Sequence, residues 1–200
     1  MGAALAVAAV AISVAVARLE VGKAMLTKLK TTLRHVWLDA SDTERAIPPD
    51  MLKRLTQRVT ASEARHSGEI RIYVEAALPM SYLWRLGAAT SMSQLIRQRA
   101  TMLFGKLRVW DTEHNNGVLI YLQLAEHAIE IVADRGLHPH VGGAHWQAMV
   151  MRMSTQFKQG KFEDGLTDAL AEVSALLVVH FPQGSGAAAT NEQPDEPTLN

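Results

Sequence analysis

Blocks of hydrophobic and polar positions along the chain predict alternating helices and strands. After Pro49, apolar residues recur at helical spacing, as in an amphipathic helix that begins with proline. The stretch "EIRIYVEA" (69–76) then alternates apolar and polar residues, which predicts a half-exposed strand. The run "SMSQ" (91–94) has the spacing of a capping box, so we expect a helix to begin there.

Two further strands and two further helices complete the pattern. The stretch "GVLIYLQL" (117–124) is apolar at almost every position, which favours a central strand covered on both faces. "AIEIVAD" (128–134) follows after a very short connection, so these two strands should form an antiparallel hairpin. Apolar residues at helical spacing over 144–159 and 162–180 predict two amphipathic helices, with their Met and Trp side chains packed in the core.

This order of elements predicts an α/β fold in which a small mixed β-sheet is sandwiched between helices on both faces. The crossover from the first strand to the second should be right-handed, which makes those strands parallel if they pair. The compact domain is predicted to span residues 49–182, after a basic helix and a polar linker over 25–48. Residues 183–200 carry too little apolar surface to order and are predicted to be a disordered tail.

The first 24 residues allow two interpretations. Residues 2–17 are mostly Ala and Val, shorter than the ~20 apolar residues of a usual spanning helix, and no basic stretch precedes them as in a signal peptide. One interpretation is an inner-membrane anchor through residues 3–17, with the lysines that follow on the cytoplasmic side. The other is an extension without a role before a start at Met25, which predicts a cytoplasmic protein.

Composition and charge exclude several classes of function. The 20 basic residues balance the 20 acidic residues, and no basic stripe is interleaved with aromatic residues, so nucleic-acid binding is not expected. The absence of cysteine removes disulfides, thiolate catalysis and cysteine-ligated zinc. No Gly-x-Ser-x-Gly motif occurs, and no catalytic residue is assigned.

Carboxylates from separate elements are predicted to meet at one end of the sheet. If Leu124 pairs with Ala128, Asp134 lies opposite Val118 and therefore beside the loop 111–116. Carboxylate and amide oxygens are the ligands that Ca²⁺ and Mg²⁺ prefer. The predicted metal residues are Asp111, Glu113 and Asp134, with the amides of Asn115 and Asn116 beside them.

The same residues also have an ordinary structural interpretation. Asn115, Asn116 and Gly117 are typical of a tight turn, because Asn and Gly tolerate positive φ. Ligands of parallel sheets usually bind beyond the carboxyl ends of the strands, whereas this cluster lies at the amino ends. His138, His140 and His145 match no standard zinc spacing. Four other histidines are interpreted as surface or boundary residues: His35, His66, His127 and His180.

Several segments resemble the TPM domain family, in a compact bacterial form. They are "SGEIRIYVEAALP", "FGKLRVWDTEHNNGVLIYLQLAEHAIEIVADRGL", Trp146, "FKQGKFEDGL" and "HFP". The resemblance implies a sheet with helices on both faces. It also implies links to acid phosphatase activity, to divalent-cation binding and to the assembly or repair of membrane complexes. Longer members carry an acidic residue in a glycine-rich turn after the third strand, whereas residues 137–147 contain no acid here.

Two functions follow from this reasoning. The first is a non-catalytic binding or accessory protein for an unidentified protein partner, with a membrane-associated complex as the candidate setting. The alternative is an acid phosphatase-like hydrolase assisted by Ca²⁺ or Mg²⁺.

Overall fold

The structure, a computed structural model, describes residues 25–26, 28–87, 89–183 and 191–200. Helices alternate with four strands. The helices are α1 (28–37), α2 (Ala40–Ala46), α3 (Pro49–Glu63), α4 (Met80–Leu83), α5 (Met92–Lys106), α6 (Gly143–Lys158) and α7 (Phe162–His180). The strands are β1 (Ile70–Glu75), β2 (Val118–Gln123), β3 (Ala128–Ala133) and β4 (Thr198–Leu199), and a 3-10 turn covers Arg135–Leu137. The predicted anchor over 3–17 lies outside the described residues.

The four strands form one mixed sheet in the order β3-β2-β1-β4. Strand β2 runs parallel to β1, with Ile70 beside Val118, and antiparallel to β3. The predicted hairpin and the predicted parallel pair are therefore confirmed, and β2 is buried along its whole length. The predicted register is wrong by one residue, because Val118 pairs with Ala133. Ala128 pairs with Gln123 instead of the expected Leu124, and His127 adopts φ 48° in the turn between the two strands.

Helices cover both faces of the sheet, as predicted. The α3, α6 and α7 face packs on the even-numbered residues of β1 and β2, including Ile72 and Ile120. The α5 face packs on the odd-numbered residues, including Tyr73 and Tyr121. Strand β1 is consequently buried on both faces rather than half-exposed, since α5 covers the side that was predicted to face solvent.

Local signals place the ends of several helices. Ser91 and Gln94 form the predicted capping box at the start of α5: the Gln94 N–H donates to Ser91 Oγ at 3.3 Å, and the Ser91 N–H donates to Gln94 Oε1 at 2.8 Å. Pro49 occupies the first turn of α3. Gly160, with φ +74°, follows the end of α6, as a C-terminal cap requires.

Two predictions outside the central domain are wrong. The residues interpreted as a linker form α2, capped by Asp39, which exchanges side-chain and backbone hydrogen bonds with Asp42, and Ile47 beyond it is 1% exposed. Within the predicted disordered tail, residues 191–200 pack on the domain, and Leu199 pairs with Val74 in a parallel β-bridge. Backbone hydrogen bonds to a sheet edge stabilise this segment despite its polar composition. Within the described ranges, no helix is long and apolar enough to cross a bilayer.

Candidate functional site

The loop 111–116 and the exit of β3 meet at the amino end of β2. The Asp134 N–H donates to Gly117 O, and the Gly136 N–H donates to Asn115 O, both at 2.9 Å. A Cβ at Gly136 would come within 2.5 Å of Asn115 O, so the two segments approach as closely as glycine allows. Asn115 has φ 53°, which confirms that this loop uses the turn chemistry expected from its sequence.

The three predicted carboxylates occupy different environments there. Asp134 is 8% exposed, whereas Asp111 and Glu113 lie on the surface, and the Glu113 side chain is 81% exposed. Within the described part of the chain, no group of three or more histidine and acidic residues is placed to hold a metal ion. The fold therefore brings the loop and Asp134 together, but the loop's two carboxylates face solvent.

Two buried oxygens at this junction accept no hydrogen bond from the described residues. Asn116 is fully buried and its Nδ2 donates to Ser67 O at 3.1 Å, but Asn116 Oδ1 has no donor. Asp134 Oδ1 accepts the Arg135 N–H at 2.7 Å, but Asp134 Oδ2 has no donor. A buried acceptor without a partner is costly. An amide oxygen and a carboxylate oxygen are each a type of ligand that Ca²⁺ and Mg²⁺ prefer.

A second acidic group, Glu69 with Glu63, lies at the same end of the sheet. The Glu69 carboxylate is buried and accepts the N–H groups of Glu192 and Gln193 at 3.3 and 3.2 Å, while Glu63 accepts the Ile70 N–H at 2.9 Å. Burial raises the pKa of Glu63 to about 9 and raises the pKa of Glu69. The burial of Glu69 was not predicted, because the segment that covers it had been interpreted as disordered.

The carboxyl end of β1 holds a different network. Glu75, 1% exposed, accepts hydrogen bonds from Arg99 Nε at 3.0 Å and from the Tyr121 hydroxyl at 2.6 Å. The Arg99 side chain, which is only 12% exposed, forms a salt bridge with the Glu75 carboxylate. Burial raises the pKa of Tyr121 well above its usual value. The sequence pattern had assigned Glu75 to the solvent face, so this network was not foreseen.

A groove of about 670 Å³ lies between β3 and the start of α6. Ile131 and Ala133 form one wall, and Trp146, Val150 and Met151 form the other. The core prediction holds for Met149, Met153 and Phe157 of α6, which are buried. Trp146 and Val150 are only partly buried, but both pack against the same core, and Met151, which the core prediction did not include, is 71% exposed.

Comparison with known proteins defines the family. The TPM domain model matches residues 40–176, which is more than half of the 200-residue chain. The chain belongs to the TPM domain family. The match begins at Ala40, the first residue of α2, and so includes the helix that was interpreted as a linker.

Solved structures with this fold agree with the assignment. The NMR structure of BA42 from the psychrophilic bacterium Bizionia argentinensis is 25% identical with a TM-score of 0.62, over 76% of this chain and 94% of that one. The N-terminal domain of a P. gingivalis protein is 18% identical with a TM-score of 0.50, over 68% and 82% of the two chains. The comparison with curated proteins found no match.

Two histidines are buried, so their interpretation as surface or boundary residues is wrong. His66 is 1% exposed, with Nε2 2.9 Å from Ser62 Oγ and Nδ1 3.0 Å from Gly68 O. Burial lowers the pKa of His66 to about 4, so the ring is neutral at pH 7. His35 of α1 is 4% exposed. The partners of His66 are close in sequence, whereas those of His35, Leu78 and Glu126, are more than 40 positions away.

Proposed function

We propose that this TPM domain is a non-catalytic binding protein, and that the groove beside β3 receives an extended segment of a protein partner. The groove's combination of the terminal strand of the sheet, β3, and an apolar wall carries this proposal. The family resemblance suggests a subunit of a membrane-associated complex as that partner. We propose a cytoplasmic location for this binding, with attachment to the inner membrane through residues 3–17 as the alternative.

The strand edge supports binding by backbone hydrogen bonds. Strand β3 is at the end of the sheet. The Asp134 N–H donates to Gly117 O, so alternate residues counted back from Asp134 make the hydrogen bonds to β2. In such a ladder, the N–H and C=O groups of Ile131 and Ala133 face away from β2. An extended peptide adds to a sheet through groups of this kind.

The apolar wall and the charged rim support specificity. Trp146, Val150 and Met151 present apolar surface next to the edge, where alternate side chains of an added strand would pack. At the rim, Arg97 Nη1 donates to Ile131 O at 2.6 Å and pairs with Glu130 at 3.2 Å. Burial raises the pKa of Glu130 despite this arginine. A partner strand would compete with the half-exposed Arg97 side chain for the Ile131 carbonyl.

Selection of displayed peptides on the full chain tests this function. We expect extended peptides to be selected, and Met151→Glu to weaken their binding at least tenfold in fluorescence anisotropy, because a charge would enter the apolar wall. Val179→Glu is the matched control, since Val179 is 70% exposed on α7 and does not line the groove. Failure to select any peptide, or equal affinity for Met151→Glu and the wild type, would contradict the proposal.

The unpartnered oxygens of Asn116 and Asp134 favour a second candidate, a cation-assisted hydrolase. In this candidate the unpartnered Asp134 Oδ2 is one ligand of a hard cation, with Asp111 and Glu113 as the predicted further ligands. Such an ion polarises a phosphoryl oxygen when it is bound. No nucleophile or base for hydrolysis is assigned among the described residues.

Thermal unfolding in Ca²⁺ or Mg²⁺ tests the cation site, because an ion that binds the native state stabilises it by mass action. We expect Asp134→Asn to abolish any such stabilisation and the exposed Asp111→Asn to reduce it less. Release of phosphate from p-nitrophenyl phosphate, with and without chelator, then tests hydrolysis. Absence of both stabilisation and turnover would rule this candidate out and leave the binding function.

A further inference from the structure

Helix α1 turns three polar side chains, Thr31, Thr32 and His35, toward the domain and its large apolar side chains toward solvent. Thr31 and Thr32 are partly buried and His35 is 4% exposed. The large apolar side chains around this helix are between 48% and 81% exposed: Met25, Leu26, Leu29, Leu33, Val36 and Trp37. This polarity is the reverse of that expected for a helix on the surface of a globular protein in water.

Specific contacts fix the helix in this orientation. The Leu78 N–H donates to His35 Nδ1 at 3.0 Å, so the opposite ring nitrogen, 3.1 Å from Glu126 Oε1, is the donor in the neutral ring. Arg34 also pairs with Glu126. Rotating α1 to bury its leucines would break these bonds and leave the buried Leu78 N–H without an acceptor.

The exposed apolar residues form one continuous stripe. Leu29, Leu33 and Val36 recur at intervals of four and three residues, which places them along one side of the helix. Trp37, 81% exposed, ends the stripe. From residue 28 to 37 a helix rises roughly 14 Å, at about 1.5 Å per residue. The stripe is therefore much larger than a single exposed leucine, which would need no explanation.

The charges around the stripe indicate what covers it. Residues 21–38 contain four basic residues and no acid, and Lys28 and Lys30 are exposed beside the stripe. The preceding residues 2–17 carry no charged side chain. Leucine and tryptophan on one side with lysines at the flanks are typical of a helix that lies in a membrane interface. A second copy of α1 would bring basic residues and no acid over 21–38, so a two-fold contact between two copies would gain no charge complementarity.

We propose that the α1 stripe lies flat on a bilayer surface that contains anionic lipid headgroups. The leucines enter the boundary between headgroups and acyl chains, and Lys28 and Lys30 contact the headgroup charge. Helix α1 then attaches the domain to the membrane, and the contacts of His35 and Arg34 hold α1 on the domain. This surface is separate from the groove beside β3, so the two proposals can fail independently.

Co-sedimentation of the full chain with vesicles tests the proposal. We expect binding to vesicles of three parts phosphatidylcholine and one part phosphatidylglycerol to exceed binding to phosphatidylcholine alone at least tenfold, and to weaken in 0.5 M salt. Leu29→Glu with Leu33→Glu should reduce binding at least tenfold. Both side chains are exposed, so the thermal unfolding midpoint should not change. Val179→Glu, an exposed apolar residue far from α1 in sequence, is the matched control and should bind like the wild type.

Fluorescence of Trp37 gives a readout that a structural role would not produce. We expect brominated lipids to quench the wild-type emission and Trp37→Phe to lose most of that quenching. Equal vesicle binding by the Leu29→Glu, Leu33→Glu variant and the wild type would overturn the proposal, because residues 2–17 would then be sufficient. No vesicle binding, or a concentration-dependent dimer that these substitutions dissociate without changing vesicle binding, would overturn it as well.

Discussion

The two ends of strand β1 bury a glutamate in opposite ways. At the carboxyl end, Glu75 is paired with Arg99 and accepts the Tyr121 hydroxyl. At the amino end, Glu69 meets backbone N–H groups of the C-terminal segment, with Glu63 nearby and no arginine or lysine partner for either among the described contacts. At one end the buried glutamate is paired with a cation, whereas at the other end burial raises the pKa more than the backbone hydrogen bonds lower it.

The largest expected effect comes from removing the cation at the carboxyl end. Arg99→Met leaves Glu75 buried without its partner, and breaking such a pair costs about 3–5 kcal/mol in the free energy of unfolding. Chemical denaturation followed by circular dichroism measures it. Arg97→Met, on the same helix, is the control, because the Arg97 side chain is 51% exposed and exposed pairs contribute about 0–1 kcal/mol. Equal losses in the free energy of unfolding of the two variants would contradict the larger contribution expected for the Arg99–Glu75 pair.

A smaller, pH-dependent effect is expected at the amino end. The folded-state pKa of Glu63 is about 9 against an ordinary value of 4.5, so between these limits the folded state holds a proton that the unfolded state releases. The contribution of the protonated Glu63 to the free energy of unfolding is fully present below about pH 4.5 and is lost as the pH rises toward 9.

Glu63→Gln should remove this dependence. Between pH 6 and pH 8 we expect the free energy of unfolding of the variant to rise by roughly 1–2 kcal/mol relative to the wild type. The full effect would be ~1.4 kcal/mol for each pH unit, and the expected gain is smaller because Glu63 is partly exposed. Unfolding free energies across this range measure the difference. Glu113→Gln, at an exposed carboxylate, should run parallel to the wild type at every pH. A Glu63→Gln curve parallel to the wild type would mean that the Glu63 carboxylate is ionised in the fold.

The smallest effects are expected at the loop that faces solvent. Asp111→Asn and Glu113→Gln should each change stability by less than about 0.5 kcal/mol without added cation, because exposed side chains away from caps and cores contribute little. The same denaturation experiment measures both. A loss above about 1 kcal/mol at either position would reveal a contact at the amino end that the structure does not contain.

Local signals were sufficient where neighbours in sequence make the stabilising contacts. The hairpin of β2 and β3, the capping box at Ser91 and the turn at Asn115 depend on residues a few positions apart, and each was predicted correctly. The alternation in β1 was misleading, because helix α5, 17 residues further on, covers the face that Glu75 occupies. The cap at Asp39 escaped notice because its partner is an aspartate rather than the usual Glu or Gln.

By itself, the sequence determined the family, the layered α/β class and the meeting of the 111–116 loop with Asp134, because hydrophobic periodicity and short connections depend on local geometry. Only the tertiary structure decided which carboxylates at that meeting point are buried, that the C-terminal segment pairs with β1, and that α1 turns its leucines outward. The last two depend on contacts between residues 40 or more positions apart, such as Leu78 with His35 or Gln193 with Glu69. The free energy of burying a polar group depends on those partners, and no local pattern specifies them.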